Sequence, residues 1–158
     1  MEKQKTVYVC GALTEVPPEQ KEQVKKFYEH IADLCEKVTG IRAFVPHEHY
    51  DPVLHANWTP SQVDESERRQ VCELSLCLVA VTLFPSWGSG IEVEMACKSN
   101  IPVILLCQKE KLEKRLVSRL LRGNPAVKAI VSYENEDSAM QQLETELKKV
   151  LNISEFYA

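Results

Sequence analysis

The sequence lacks the features that would place a protein in a membrane or on nucleic acid. No apolar stretch is long enough to cross a bilayer, and residues 1–5 lead into a strand pattern without an apolar signal region. There is no basic stripe, and a net charge of −4 with a pI near 5.6 argues against a polyanion or an anionic lipid surface. We therefore expect a cytoplasmic protein whose partners include neither a nucleic-acid polymer nor a membrane.

The six cysteines also lack the spacing of a metal or redox motif, because no Cys-x-x-Cys pair occurs. They are scattered, and most fall inside apolar strand or helix patterns. This placement favours reduced, buried side chains that act as small hydrophobes, with a redox or metal role as the alternative. The positions are Cys10, Cys35, Cys72, Cys77, Cys97 and Cys107.

Apolar strand patterns alternate with amphipathic helix patterns along the 158 residues, which predicts a single α/β domain over 1–158. Five strands suit the flavodoxin-like (Rossmann-like) order 2-1-3-4-5, a parallel sheet with helices on both faces. Ligands bind such sheets at the switch point, here between the first and third strands. The strands are predicted at 6–10, 41–45, 76–82, 102–107 and 127–133. The residues expected at this crevice are Tyr8, Gly11, Glu67, Ser86, Gly88, Gly90 and Glu92.

The most informative stretch runs from Phe84 to Ala96, after the most apolar strand pattern in the chain. Two glycines in a tight loop allow close backbone approach to a ligand, and the following helix start favours an anion. Glu92 then falls in the first helical turn, where the helix dipole would favour its ionised form. The alternative is structural, because Ser89 to Glu92 also fits a capping box.

A second carboxylate, Glu67, falls on the inward face of a helix that begins after Thr59 with a capping-box pattern. Solvated glutamates rarely occupy such a position, so an arginine covers this side chain or it lines a pocket. Glu94 has Lys98 four residues later, the favourable order for a surface pair, whereas Glu92 has no such partner. Glu92 is therefore the freer acid of its helix.

Several familiar motifs are absent, including the dinucleotide fingerprint, the phosphate-binding P-loop and the Gly-x-Ser-x-Gly elbow. We therefore predict no cofactor. The polar segment His47–Trp58 is longer than usual connections, which indicates a functional or mobile loop. Its histidines and Asp51 resemble a metal-ligand set, but a polar pocket wall that includes His47 is favoured over a metal site. A basic fourth helix is predicted over Lys109–Arg122.

Four segments together resemble the nucleoside 2-deoxyribosyltransferase family, which includes the 2′-deoxynucleoside 5′-monophosphate N-glycosidases. They are Tyr8–Thr14, Val45–Pro52, Glu67-Arg68 and Pro85–Glu92, and the Pro-Ser-x-Gly-x-Gly-x-Glu element in the last is the most specific. The resemblance covers nearly the whole chain in order. It implies a flavodoxin-like fold, a nucleoside or nucleotide as the small-molecule partner, and a homodimer or higher homo-oligomer with sites near subunit interfaces.

The resemblance also implies roles for individual residues. The family nucleophile falls on Glu92, Glu67 stands where the family usually has an orienting or proton-transferring Asp, and Tyr8 is a hydrogen-bond partner of Glu92 or of substrate. Ser86 with the backbone of Gly88, Ser89 and Gly90 would hold a 5′-hydroxyl or 5′-phosphate. Trp87 replaces a smaller residue and would stack on a base or narrow the pocket. The phosphate-binding Arg of the monophosphate glycosidases is missing, and the loop after Gly11 carries Glu15 instead.

Three functions follow as hypotheses. The first is cleavage or transfer at the N-glycosidic bond of a nucleoside or nucleotide through a covalent glycosyl-glutamate intermediate. The second is a nucleotide-binding or sensing module without catalysis, and the third is a nicotinamide dinucleotide glycohydrolase. The terminal aromatics at Phe156 and Tyr157 either reach a neighbouring subunit's site or form a frayed tail.

Overall fold

A parallel β-sheet of four strands forms the centre of the computed structural model, which describes residues 4–154. The spatial order of the strands is β1-β2-β3-β4, and every neighbouring pair is parallel. The two alternatives given above for the C-terminal aromatics, Phe156 and Tyr157, concern residues outside the described range. The strands are β1 (Thr6–Gly11), β2 (Ser75–Val81), β3 (Val103–Gln108) and β4 (Val127–Tyr133).

The helices occupy the connections between the strands and the end of the chain. They are α1 (Lys21–Thr39), α2 (His47–Tyr50), α3 (Pro60–Leu74), α4 (Trp87–Lys98), α5 (Lys109–Glu113), α6 (Arg119–Arg122) and α7 (Glu136–Val150). The predicted end signals of two helices are confirmed: Gly40 closes α1 with a φ of 81°, and Thr59 with Gln62 forms the capping box of α3. Across residues 4–154, none of the helices combines the length and apolarity needed to span a bilayer.

Side chains alternate across each strand, and both sheet faces are covered by helices. Val7 and Val9 of β1 point to the face covered by α1 and α7. Tyr8 and Cys10 point to the opposite face, where they join a core with residues of α3 and α4. The alternation of β1 therefore directs Tyr8 and Cys10 towards the helix that carries Glu92.

The predicted five-stranded sheet is wrong, because residues 41–45 contribute only one parallel bridge between Phe44 and Tyr8. Two hydrogen bonds make this bridge, from Val9 N to the Phe44 carbonyl (2.9 Å) and from Phe44 N to the Val7 carbonyl (2.8 Å). Pro46 has no N–H to continue the ladder, and α2 begins at the next residue. The order 2-1-3-4-5 is therefore not confirmed, although Phe44 does lie along the edge of β1 opposite β2.

The predicted helix over Lys109–Arg122 is also wrong, since this segment forms the two short helices α5 and α6. Arg115 lies between them with a φ of 58°, in the left-handed region that a continuous helix cannot contain.

Two glycines provide a matched pair of substitutions for testing the packing. An alanine Cβ at Gly11 would lie 2.4 Å from the Tyr28 hydroxyl oxygen, whose hydrogen bond to the Ala12 carbonyl holds it in place. An alanine Cβ at Gly90, inside α4, would meet no atom within 4 Å. We expect Gly11→Ala to lower the free energy of unfolding by about 1–3 kcal/mol through overpacking.

Gly90→Ala is the control, and we expect it to raise the free energy of unfolding by about 0.5–1 kcal/mol because alanine is the better helix former. Urea denaturation of both variants measures the two changes. An increase in the free energy of unfolding of Gly11→Ala would contradict the contact with Tyr28. A decrease in that of Gly90→Ala would contradict the open helical position of Gly90.

Candidate active site

The start of α4 determines where Glu92 lies. Ser86 is the N-cap of this helix, and its hydroxyl oxygen accepts a hydrogen bond from Ser89 N at 3.2 Å. The predicted Gly-Ser-Gly loop is therefore helical, and Glu92 is the sixth residue of α4, in its second turn. The capping box over Ser89–Glu92 is wrong, because Ser86 rather than Ser89 ends the extended segment.

The Glu92 side chain is buried, with 6% of the residue exposed, and both carboxylate oxygens accept hydrogen bonds from β1. The Tyr8 hydroxyl donates to Oε1 at 2.5 Å, and the Cys10 thiol donates to Oε2 at 2.8 Å. Tyr8 and Cys10 are two residues apart on one strand, so the period of the strand places both donors on the same side. Glu92 is thus held in one orientation by residues about 80 positions away in sequence.

Burial raises the pKa of Glu92 because it penalises the charged carboxylate, while the hydrogen bonds from Cys10 and Tyr8 lower it in part. The expectation that the helix start keeps Glu92 ionised is therefore wrong in direction. The dipole effect is confined to the first turn, and Glu92 lies beyond it. Burial and the neighbouring carboxylate also raise the pKa values of Tyr8 and Cys10 well above their ordinary values, so both groups stay protonated as donors.

Glu67 lies on α3 and lines the same cavity as Glu92. Its pKa is raised to about 7, mainly by burial and further by the charges of Glu92 and Asp64. Across residues 4–154 no arginine or lysine forms an ion pair with Glu67, and Arg68 and Arg69 pair with Asp64 and Glu73 instead, so the interpretation in which an arginine covers it is wrong. A carboxyl group that is half protonated near neutral pH is suited to proton transfer.

The cavity has a volume of about 390 Å³, within the range of about 300–1,000 Å³ that is typical of small-molecule sites. One wall comes from the segment His47–Trp58, so the predicted functional loop does line a pocket. The other walls come from α3 and α4. The lining residues are Tyr50, Pro52, His55, Ala56, Trp58, Pro60, Val63, Asp64, Glu67, Gly88, Ile91, Glu92 and Met95.

Of the predicted substrate-binding residues, Gly88 lines this cavity, and the others have different surroundings. Trp87 is 90% exposed at the first position of α4 and neither narrows the cavity nor stacks within it. Ser86 is occupied as the helix cap, and Gly11 packs against Tyr28. Ser89 and Gly90 follow in α4 without lining the cavity, and the carbonyl of Ser89 lies 3.7 Å from the Cys10 sulfur.

His47 is buried on α2, outside the cavity, and its Nε2 lies 3.0 Å from the Glu29 carboxylate. Glu29, His47 and Glu48 have potential metal-ligand atoms within 4.8 Å of one another. Arg42 already donates to Glu48 at 2.7 Å, so its positive charge opposes a cation there. His55, rather than His47, is the histidine at the cavity.

Sequence reasoning missed several residues of the site, of which Cys10 is the most important. The sequence did indicate this residue, because Cys10 follows Tyr8 by two positions on a predicted strand and therefore shares its face. Tyr50 and Trp58 also line the cavity, but no pattern in the sequence indicated that they would. Their rings lie 5.1 Å apart, and the Tyr50 hydroxyl lies 2.7 Å from the Ser66 hydroxyl, contacts that only the folded chain defines.

The fold and the site define an α/β protein in which two carboxyl groups with raised pKa values line one cleft between α3, α4 and the segment His47–Trp58. No model of a known protein family matches the chain. Among curated sequences, the chain is similar to "Putative 2'-deoxynucleoside 5'-phosphate N-hydrolase 1" of Thermofilum pendens, at 34% identity over 90 residues. The aligned segment covers 56% of this chain and 61% of that protein. The resemblance predicted from the sequence is thereby confirmed.

Two solved structures share the fold. The Clostridium botulinum CMP N-glycosidase BcmB has a TM-score of 0.65 and 22% identity, with 90% of this chain and 99% of that chain covered. The solution structure of BlsM has a TM-score of 0.64 and 20% identity, with 98% of both chains covered. At these identities the likeness concerns the fold.

The raised pKa of Glu67 predicts a pH-dependent cost to stability. The folded protein retains this proton up to about pH 7, whereas the unfolded chain releases it near pH 4.5, so stability falls as pH rises through this window. Glu67→Gln removes that titration. We expect the variant to equal the wild type near pH 4.5 and to be more stable by about 1 kcal/mol at pH 8, because solvent screens the partly buried carboxylate.

Urea denaturation at pH 4.5, 6 and 8 measures this difference. Glu65→Gln, an exposed carboxylate on the same helix, is the matched control and should stay within about 0.5 kcal/mol of the wild type at each pH. A Glu67→Gln protein that is less stable at pH 8 than the wild type would show that Glu67 has a stabilising partner.

Proposed function

We propose that this protein cleaves the N-glycosidic bond of a nucleoside, with Glu92 as nucleophile and Glu67 as proton-transferring group. The observation that carries the proposal is the arrangement of two carboxyl groups in one cavity. Glu92 is immobilised by donors from Tyr8 and Cys10, and Glu67 has a pKa near 7. The Thermofilum pendens relative is named as a nucleotide N-hydrolase, which agrees with this reaction class.

In the first step, the Glu92 carboxylate attacks C1′ of the sugar while the bond from C1′ to the base nitrogen breaks. The electron pair of that bond leaves with the base, and protonated Glu67 supplies the proton that the base nitrogen requires. Tyr8 and Cys10 hold the attacking carboxylate in place. Positive charge on the sugar in the transition state favours ionised Glu92, which offsets the effect of burial.

In the second step, water attacks C1′ of the glycosyl-Glu92 ester and releases the Glu92 carboxylate. Glu67, now ionised, accepts the proton of that water and returns to its starting state. A second base in place of water would make the same site a transferase. The pKa of Glu67 near 7 suits this double role, because both of its protonation states are populated at neutral pH.

Glu92→Gln tests the role of the nucleophile. The amide retains an acceptor for a β1 donor but cannot form the ester, so we expect base release to fall at least about 10³-fold while the folded structure is kept. Relief of a buried charge should leave the free energy of unfolding at pH 8 equal to or above that of the wild type. The measurement is base release from a panel of nucleosides and nucleotides, followed by chromatography.

The matched control is Glu94→Gln on the same helix, an exposed residue paired with Lys98 at 3.7 Å, which should retain full activity. A slow 2-fluoro-substituted substrate should also leave a sugar adduct on the peptide that contains Glu92, detectable by mass spectrometry. Wild-type activity in Glu92→Gln would refute the nucleophile. Ligand binding without base release across the panel would favour the non-catalytic binding module, and release of nicotinamide would favour the dinucleotide glycohydrolase.

The charges around the cavity favour a substrate without a 5′-phosphate. Asp64, Glu67 and Glu92 line it, whereas its lining in the described part of the chain includes no lysine or arginine. Arg68 is the nearest basic residue along α3, and it is paired with Asp64 at 2.9 Å. Arg68 offsets Asp64 alone, so a phosphate would still face Glu67 and Glu92, for which the cavity lining supplies no cation. An uncharged nucleoside, or one with a cationic base, meets no such repulsion.

We accordingly expect kcat/KM for a nucleoside to exceed that for its 5′-monophosphate by at least about tenfold, which corresponds to about 1.4 kcal/mol. Initial rates for matched pairs at low and high salt measure this preference, which should shrink as salt screens the carboxylates. Asp64→Asn should narrow the preference, and Glu65→Gln, outside the cavity, should not. A faster reaction with the monophosphate would exclude the nucleoside as the better substrate.

A further inference from the structure

A second cavity, of about 250 Å³, lies on the opposite face of the sheet from Glu92. It is bordered by the segments that follow β2, β3 and β4, and by the beginnings of α1 and α7. Its apolar members, among them Phe27, Phe84 and Tyr133, belong to the core under α1 and α7, whereas Tyr8 and Cys10 belong to the core of the other face. The carboxyl ends of parallel strands are where such sheets bind ligands.

Tyr133, the last residue of β4, provides the observation that points to a ligand. The residue is only 5% exposed and lines the cavity, and its hydroxyl is buried without a hydrogen-bond partner among residues 4–154. A buried hydroxyl left unpaired costs about 1–3 kcal/mol, and phenylalanine would fill the same space without that cost. Burial also raises the pKa of Tyr133, so the hydroxyl is available as a neutral donor.

The charged groups around this cavity are already engaged within the protein. The amine of Lys111 donates to the Leu83 carbonyl and lies 5.0 Å from the centre of the Phe84 ring. Glu134 pairs with Lys109 at 2.8 Å, and Glu136 lies 3.4 Å from His30. A charged ligand would have to break one of these contacts, so the cavity favours an uncharged one.

The remaining lining combines flat apolar surfaces with neutral hydrogen-bonding groups. Phe27 and Phe84 offer ring surfaces, and Gln20, Gln23 and Gln108 offer amides that both donate and accept. The volume lies below the range of about 300–1,000 Å³ of drug-sized sites, which limits the occupant to about one ring system.

We propose that this cavity binds an uncharged, planar heterocycle with donors and acceptors along its edge, the chemical class of a free nucleobase, with Tyr133 donating a hydrogen bond to it. We call this second cavity the Tyr133 cavity, and we call the cavity lined by Glu67 and Glu92 the Glu92 cavity. The site is separate from the Glu92 cavity and does not depend on the proposed reaction. If that reaction occurs, the released base has the chemistry that the Tyr133 cavity accepts.

Two-dimensional NMR titration of the full chain with adenine, hypoxanthine, cytosine and uracil tests the proposal. At least one base should shift the amide signals of Gln108, Tyr133 and Asn135, and Tyr133→Phe should weaken that binding at least about tenfold. Tyr50→Phe is the matched control, because it removes a hydroxyl from the Glu92 cavity and should leave those shifts unchanged.

Stability of the unliganded Tyr133→Phe protein provides a second readout. Its melting temperature should equal or exceed that of the wild type, because the substitution removes an unpaired buried hydroxyl. A clear decrease would show that the hydroxyl has a structural partner and would overturn the proposal. Shifts confined to the Glu92 cavity, unchanged affinity in Tyr133→Phe, or no binding of any base at millimolar concentration would overturn it as well.

Discussion

The hydrogen bonds from Tyr8 and Cys10 to Glu92 are the interaction on which the site depends. A carboxylate with 6% exposure is costly unless donors satisfy it, and here one strand supplies both donors. The parallel pairing of β1 with β2 brings that strand beside the chain that leads into α4. A one-residue shift in the register of β1 would turn Tyr8 and Cys10 to the other face and leave Glu92 buried without donors.

The two carboxyl groups lower the stability of the folded protein, because each is an ionisable group removed from water. Burial raises the pKa of both Glu92 and Glu67, and the charge of Glu92 raises that of Glu67 further. Burial of apolar side chains opposes this cost, and most residues of β2 and β3 are buried. Groups whose pKa values are perturbed in one cavity are characteristic of catalytic sites, although ion-pair networks perturb pKa values too.

The elements that were predicted correctly are those with strong local signals. Gly40 and the Thr59 capping box marked real helix ends, and the pairing of Glu94 with Lys98 followed from their spacing alone. The errors occurred where two local signals competed. Ser86 and Ser89 are both plausible caps, and only the folded backbone selects Ser86. Residues 41–45 have the composition of a strand, but Pro46 and α2 limit them to one bridge.

The sequence by itself determined the parallel α/β class and the inward position of Glu67, because both rest on periodicity. It also determined the resemblance to a nucleoside-processing family, because that rests on short motifs in a fixed order. Only the tertiary structure decided that Cys10 contacts Glu92, that Trp87 faces solvent and that His55 rather than His47 reaches the cavity. These facts depend on helix start points and on packing between distant segments. Burial, which shifts the pKa values of the carboxyl groups, likewise exists only after the chain has folded.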